Sequence, residues 1–395
     1  MDDQLHVRDL SQTATTNSPT IPELAAHTYE VPESEALHFV QKMKVGWNLG
    51  NTFDANSDTN TLANDLEYET LWVKAKTTKA MITALKEAGF RTLRLPVSWH
   101  NHVDEQFTIN KPWLDRVQEV VDDAYDNDLT IILNIHHDDL ENYYYPSSDH
   151  LAVSEKFMRA LWTQLSERFK SYDHRLVFES INEPRLRGTE YEWRLDLTET
   201  RCLDAIDCIN VLNQVFVDVV RASGGHNIDR YLMVPGYAAS ADYALLDRFR
   251  LPTDLTHDRL IVSVHAYTPY PFALQSPNDT HSIARWHLDA PSSTQPIDTF
   301  MDQLYEAFIR RGVPVIIGEF GARDKGGNLQ DRIDYAAYYV NAARSRGMIA
   351  CWWDNHSFIG NSENFGLMER RTATWTYPDI VQALVRYSPP IKLSL

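Results

Sequence analysis

Two short segments carry the chemistry in this chain, Asn182-Glu183-Pro184 and Gly318-Glu319-Phe320-Gly321. Each follows an apolar, β-branched run that reads as a buried strand: Leu176-Val177-Phe178 before the first and Val315-Ile316-Ile317 before the second. Burying a charge is costly unless it is paired, so a carboxylate at the end of a buried strand has few stability reasons to be there. Two of them, projecting from different strands into one crevice, are the minimum equipment for cleaving a glycosidic bond. One protonates the leaving oxygen while the other attacks the anomeric carbon or activates a water to do so. Carboxyls about 5–5.5 Å apart would give retention through a covalent glycosyl-enzyme intermediate. Taken singly, either glutamate reads as well as a helix cap or an ion-pair partner.

Positioning such a pair requires a scaffold that ends many strands at one place. From about Ala36 onward strand-like runs alternate with helical patterns. The strand candidates are Val45–Leu49, Thr92–Leu95, Thr130–Asn134, Leu176–Glu179, Tyr231–Val234, Ile261–His265, Val315–Glu319 and Met348–Trp353. Between and after them lie helical patterns at Thr77–Glu87, Lys111–Asp126, Val153–Phe169, Ala205–Ser223, Ala241–Phe249, Ile297–Arg311, Leu329–Arg346 and Tyr377–Val385. Glycines at 89 and 347 mark helix ends before the next strand. Buried parallel strands need helical crossovers, so eight of them predict an α/β fold, a (β/α)8 TIM barrel with its active site at the strands' C-terminal ends. A doubly wound open sheet competes poorly, because no glycine-rich phosphate loop follows the first strand. Polar or aromatic residues recur where barrel strands end: Asn48, Arg94, His136, Glu183, His265, Glu319 and Trp353. Residues 1–35, rich in Thr, Ser, Pro and Glu, read as a polar tail or linker, and 36–395 as one catalytic domain.

Bulk composition narrows the function. The net charge of −18 argues against nucleic acid and anionic membrane partners, which call for basic patches. No run is long and apolar enough for a membrane span, and Met1-Asp2-Asp3 does not open a signal peptide. The 3 cysteines have no metal-type spacing, and Cys202 and Cys208 lie too far apart along one helix to bridge, so three free, buried thiols are expected. The 10 Trp and 19 Tyr supply flat apolar surfaces on which sugar rings stack, although large cores use aromatics too.

Seven motifs, in order across roughly residues 36–388, resemble glycoside hydrolase family 5, most closely its endoglucanase and xyloglucanase branch. They are Gly46-Trp47-Asn48-Leu49-Gly50-Asn51-Thr52, Arg94-Leu95-Pro96-Val97, Ile135-His136-His137-Asp138, Asn182-Glu183-Pro184, His265-Ala266-Tyr267, Gly318-Glu319-Phe320-Gly321 and Trp352-Trp353-Asp354-Asn355. The resemblance implies Glu183 as acid/base and Glu319 as nucleophile of a retaining endo-β-1,4-glucanase. It implies that Arg94 and the Tyr267 hydroxyl hold Glu319 ionised, and that Asn182 meets a sugar 2-hydroxyl. His265 orients Glu183, His136 contacts the sugar in the cleavage subsite, and Trp353 lies beneath the cleaved ring, with Trp352 turned to the barrel wall. His137 is either a second sugar contact or a core histidine. Asn48 is placed to touch a sugar hydroxyl, whereas Trp47 reads as core. Glu183 must be protonated near neutral pH, which calls for an apolar setting and repulsion from Glu319.

Aromatic loops at Tyr143-Tyr144-Tyr145-Pro146 and Tyr267–Phe272, and the segment 184–204 with Trp193, face the same rim and are candidates for further sugar subsites. A metal reading of His136-His137-Asp138-Asp139 is weak, because adjacent strand residues point to opposite faces. No metal or other cofactor is expected. The substrate implied is a β-1,4-linked glucan: cellulose-like, mixed-linkage or xyloglucan. Mannan and xylan stay open, because the catalytic residues do not discriminate among these sugars. A non-catalytic polysaccharide-binding barrel is the rival of another class. A monomer is expected, and a polymeric substrate implies secretion.

Overall fold

Strands that run parallel and are covered by helices on their outer face leave their inward side chains to fill or line whatever the sheet encloses. The computed structural model describes residues 18–25, 29–57, 62–360 and 363–389. Its eight parallel strands close in sequence order: β1 (Gly46–Leu49), β2 (Thr92–Leu95), β3 (Thr130–Asn134), β4 (Leu176–Glu179), β5 (Leu232–Ser240), β6 (Leu260–His265), β7 (Val315–Phe320) and β8 (Ile349–Asp354). Gly46 of β1 pairs with Thr92 on one side and Cys351 on the other, which closes the cylinder. The helices are α1 (Glu35–Met43), α2 (Lys79–Ala88), α3 (Lys111–Asp126), α4 (Leu151–Phe169), α5 (Thr200–Ala222), α6 (Ala241–Ala244), α7 (Tyr270–Ala273), α8 (Pro291–Ala307), α9 (Leu329–Ser345) and α10 (Pro378–Arg386).

The eight expected strands are all present; α1 and α7 are helices beyond those expected, α5 and α8 begin earlier than expected, and β5 and α6 differ in extent. β5 runs on to Ser240, because positive φ at Ala238 and Ala239 shifts the register and lets Ser240 pair with His265. The helix expected over 241–249 is cut to the single turn α6. Beyond it, Arg248 is bound to Asp207 and the backbone of Arg250 to Asn210, both on α5, and these bonds draw the chain off the helical path.

Period-2 alternation sorts the barrel interior into layers. Ile132, Val177, Met233, Ile261, Ile316, Ile349 and Cys351 form an apolar layer with Ala36, Phe39, Val40 and Met43 of α1, which plugs the N-terminal end. Two residues further along the strands, the inward positions turn polar: Asn48, Arg94, Asn134, Glu179 and Ser263, all buried. This second layer is the floor of the site. Ser34 caps α1 by accepting from the Leu37 amide at 3.1 Å.

Of the N-terminal tail, residues 1–17 and 26–28 lie outside the described residues. The described part runs along the barrel's outer helices: Gln330 and Asn341 of α9 donate to the carbonyls of Thr20 and Ala25, and Tyr305 of α8 donates to Glu30. Cys202, Cys208 and Cys351 are free and buried, as expected. Among the described residues no helix is long and apolar enough to cross a membrane.

Candidate active site

Arg94 stands at the centre of the polar layer, fully buried, and its five N–H donors organise the rest. Nε donates to Glu179 Oε2 at 2.8 Å, Nη1 to Glu319 Oε1 at 2.8 Å and Asn48 Oδ1 at 3.0 Å, and Nη2 to Asn182 Oδ1 at 2.8 Å. Glu179 is held in turn by Ser263 Oγ at 2.7 Å and Asn134 Nδ2 at 3.0 Å. A guanidinium with two carboxylates compensates its charge where a lone one would be prohibitive. Room for this crossing comes from Gly318, where a Cβ would stand 3.0 Å from His265 Nε2 and 3.4 Å from Arg94 Nε.

The two sequence-predicted carboxylates converge. One oxygen of Glu183 lies within 4.8 Å of one oxygen of Glu319, and the same distance bounds both to His265. This is retaining geometry; an inverting pair needs about 6.5–9.5 Å. Glu319 has both oxygens bound, Oε1 by Arg94 and Oε2 by the Tyr267 hydroxyl at 3.0 Å. Burial and the neighbouring Glu319 and Glu183 carboxylates hold the Tyr267 phenol well above its ordinary pKa, so it stays a donor.

His265 bridges the pair, its Nδ1 2.7 Å from Glu183 Oε1 and 3.7 Å from Glu319 Oε1. Arg94 Nη2 lies 3.3 Å from the other ring nitrogen, Nε2. Guanidinium nitrogens only donate, so Nε2 is the acceptor and Nδ1 carries the hydrogen that faces Glu183. Burial pushes the imidazole pKa down, but Glu319 and the bond to Glu183 outweigh it and the pKa is raised. For Glu183 the signs reverse. Burial raises its carboxyl, and the bond from His265, with the charges of His265 and Arg185, brings it below its ordinary value. The apolar setting expected to raise Glu183 is therefore opposed by its bond to His265. Glu183 and His265 titrate as a pair, so neither can be protonated without shifting the other.

Other predicted site residues divide. Asn182 uses its carbonyl on Arg94, which fixes the amide flip and leaves the NH2 group as a donor. Asn48 does not meet a sugar. It is fully buried, and its amide donates to the carbonyls of Gly318, Cys351 and Trp352, so it props Arg94 from below. His136 Nδ1 accepts from Asn134 Nδ2 at 3.1 Å, so its Nε2 bears the hydrogen, and its ring runs parallel to the Trp353 indole with centroids 5.8 Å apart. Trp353 closes the inward row of β8, whereas Trp352 is buried outward with its Nε1 donating to Phe365 O. Trp47 and Trp99 are fully buried core residues. His137 is no core histidine. Its side chain is 29% exposed, tilted against Trp72 at 5.9 Å. The Tyr143–Tyr145 loop packs downward instead of forming a subsite: Tyr144 is buried and donates to His136 O, and Tyr145 donates to Arg187 O.

His136 and His137 come together with Asp54, one ligand-type atom of each within 4.8 Å of the others. That both histidines face one place overturns the opposite-faces argument, which fails because they lie past the end of β3. The donor set still does not fit a metal. Asn134 cannot flip, since its Oδ1 accepts from the Val97 amide, and His136 therefore offers a hydrogen where a metal needs a lone pair. Asp138 is committed elsewhere, accepting from the amides of Trp99 and His100.

Sequence reasoning passed over Glu179, Asn134 and Ser263, although a charged residue two places beyond an inward Val177 was a usable signal. It also passed over Trp72 and Glu363. Both line a cavity of about 460 Å³ with Asn51, Val73, Lys74, Asn355, His356, Ser357 and Arg371, beside the cleft at the β1 and β8 ends. Only barrel closure brings those two loops together. Burial, with Glu319 and Glu183 behind it, raises the Glu363 carboxyl.

Residues 53–358 match the family model described as cellulase (glycosyl hydrolase family 5). Endoglucanase 1 of Ruminococcus albus is 42% identical over 96% of this chain and 92% of its own length. A glycoside hydrolase 5 lichenase from Caldicellulosiruptor sp. F32, solved as a mutant in complex with cellotetraose, superposes with a TM-score of 0.92 at 54% identity, covering 94% of this chain and 100% of that one. A broad specificity endoglucanase from Ruminococcus champanellensis with bound cellotriose gives 0.82 at 39% identity over 90% of this chain and 100% of that one.

Proposed function

The chain belongs to glycosyl hydrolase family 5, the cellulase family, and from that premise we propose how its cleft works and on which polymer. It is a retaining endo-β-1,4-glucanase acting on glucans. The observation that carries the residue assignment is the Glu183–Glu319 pair within 4.8 Å, bridged by His265.

In the first step a Glu319 oxygen bonds to the anomeric carbon as the glycosidic C–O bond breaks. The leaving oxygen takes its proton from the Glu183 carboxyl, which ends the step as the carboxylate that accepts from His265 Nδ1. Arg94 and Tyr267 hold the Glu319 carboxylate in line with donors already in place, so little reorganisation is needed as charge moves. Ester formation removes the Glu319 charge. Glu183, now relieved of its repulsion, takes a proton from water, and the oxygen of that water displaces Glu319 from the sugar. The NH2 of Asn182 is the donor for the sugar 2-hydroxyl, and Trp353 with the Nε2 hydrogen of His136 faces the ring.

Mixed-linkage β-glucan is the preferred polymer, a reading supported by the 54% identity to the lichenase. All the catalytic groups come from one chain, in keeping with a monomer, and polymeric substrate implies that the enzyme acts outside the cell. Reducing-sugar release from barley β-glucan, xyloglucan, carboxymethylcellulose, mannan and xylan, with Glu319→Gln alongside, tests this. Highest activity on barley β-glucan, lost in the variant, is expected. Release only from mannan or xylan would overturn the substrate, and none from any polymer would overturn the function.

A further inference from the structure

A lysine drawn into a protein is ordinarily paired with a carboxylate. Lys325, half-buried on the loop between β7 and α9, is met by neutral oxygens instead. Its Nζ donates to Pro271 O at 2.5 Å, Ser282 Oγ at 2.8 Å and Ile283 O at 3.0 Å, so all three ammonium hydrogens are engaged by the loop that follows β6. Pro271 and Ile283 are the two ends of an excursion in that loop, and the Ile283 amide donates to Pro271 O at 2.9 Å. The ammonium therefore closes the neck of the excursion. Arg323 grips the same loop: its amide donates to Ala273 O at 3.0 Å and its Nη1 to Leu274 O at 2.8 Å.

Just ahead of this neck the β6 loop carries Tyr267, whose hydroxyl donates to Glu319 Oε2. On the strand side of Tyr267 the backbone is fixed at Ala266, which donates to Glu319 O and accepts from the Tyr339 hydroxyl. On the far side it is anchored by the buried Phe272 and by the bonds from Lys325 and Arg323. We propose that Lys325 is a positioning residue for the reaction: by closing the neck of the β6 loop, its ammonium keeps the Tyr267 hydroxyl on Glu319. This inference rests on the roles proposed above for Glu319 and Tyr267.

Holding three acceptors requires the charged form. A neutral amine has two hydrogens and a lone pair, so one of the three oxygens would face that lone pair and be repelled. The charged groups that act on Lys325 are Arg323, on its own loop, and Asp279, on the β6 loop. Its neighbour Asp324 is taken by Arg332 and Tyr377. Burial first, and then Arg323, lower the Lys325 pKa to about 8 against the pull of Asp279. The clamp is whole at pH 7 and loosens as the pH rises through 8.

The test uses a dinitrophenyl β-cellobioside, whose leaving group needs no acid, so that the titration of Glu183 drops out of kcat/KM. Wild type should lose roughly two- to tenfold in kcat/KM between pH 7 and 9, the value of one hydrogen bond. Lys325→Met should show that lowered value already at pH 7 and stay flat across the range. Lys325→Arg keeps a charged donor at every pH, so it should recover part of the rate at pH 7 and stay flat too. Limited proteolysis at pH 7 should cut Lys325→Met faster than wild type within residues 274–283. A flat wild-type profile, a fall that persists in the variants, or a methionine variant as fast as wild type at pH 7 would overturn the clamp. If Lys325→Met does not fold, the loss or persistence of the fall in Lys325→Arg decides. Inactivity of the wild type on this glycoside would overturn the proposed function instead.

Discussion

Replacing His265 with asparagine isolates the proton on which the chemistry depends. In the native site burial raises the Glu183 carboxyl and the bond from His265 Nδ1, 2.7 Å away, lowers it. Glu183 is acid-competent while it holds its proton, and loss of that proton sets the basic limb of the kcat/KM profile. Without the imidazole the bond that favours the carboxylate is gone. A hydrogen bond to a charged group contributes about 1.5–3 kcal/mol, and about 1.36 kcal/mol moves a pKa by one unit. The basic limb should therefore rise by roughly one to two pH units. The assay is kcat/KM on cellotetraose between pH 4 and 9, a natural leaving group being chosen because it demands the acid. A uniform rate loss with the basic limb in place, or a limb that falls, would refute the coupling of His265 to the Glu183 proton.

Other perturbations follow from the same geometry. Glu183→Gln should slow cleavage of oligosaccharides by roughly 10²–10⁴-fold while sparing an activated dinitrophenyl glycoside in the first step, and azide should restore turnover by replacing water in the second. Glu179→Ala leaves Arg94, fully buried, with a single carboxylate, and should cost about 3–5 kcal/mol in urea unfolding. Asp54 is buried and its carboxyl is pushed from 3.8 to about 7. The folded state then binds more protons than the unfolded one between those values, so stability contributed by this group declines as pH rises through that window. Asp54→Asn should remove that contribution, so that raising the pH from 4 to 7 lowers the melting temperature less, or raises it more, than in the wild type.

The barrel was legible because strands buried on both faces read as continuous apolar runs, and helical spacing between them leaves few other topologies. Glu183 and Glu319 were legible because a carboxylate just past such a run is anomalous. The interior polar layer was readable only in part. Arg94 announces itself, but Asn48 looked exposed to sugar because sequence cannot show that three backbone carbonyls surround its amide. The titration of Glu183 was legible only in part for a related reason: burial and His265 act with opposite signs, and their relative size depends on a 2.7 Å contact. Tyr143–Tyr145 read as a rim because aromatic loops serve binding and packing alike. The short α6 was unreadable locally, since contacts from α5 decide it.

The central claim, that Glu319 forms the covalent bond, is tested most directly by trapping it. Incubation with an activated 2-deoxy-2-fluoro-β-cellobioside slows both steps, and the second more, so the glycosyl-enzyme accumulates for peptide mass spectrometry. The expected result is a single fluorocellobiosyl label on the carboxyl of Glu319 that decays on adding cellobiose. A label on Glu183 or another residue, or a first-formed product of inverted anomeric configuration, would contradict the assignment.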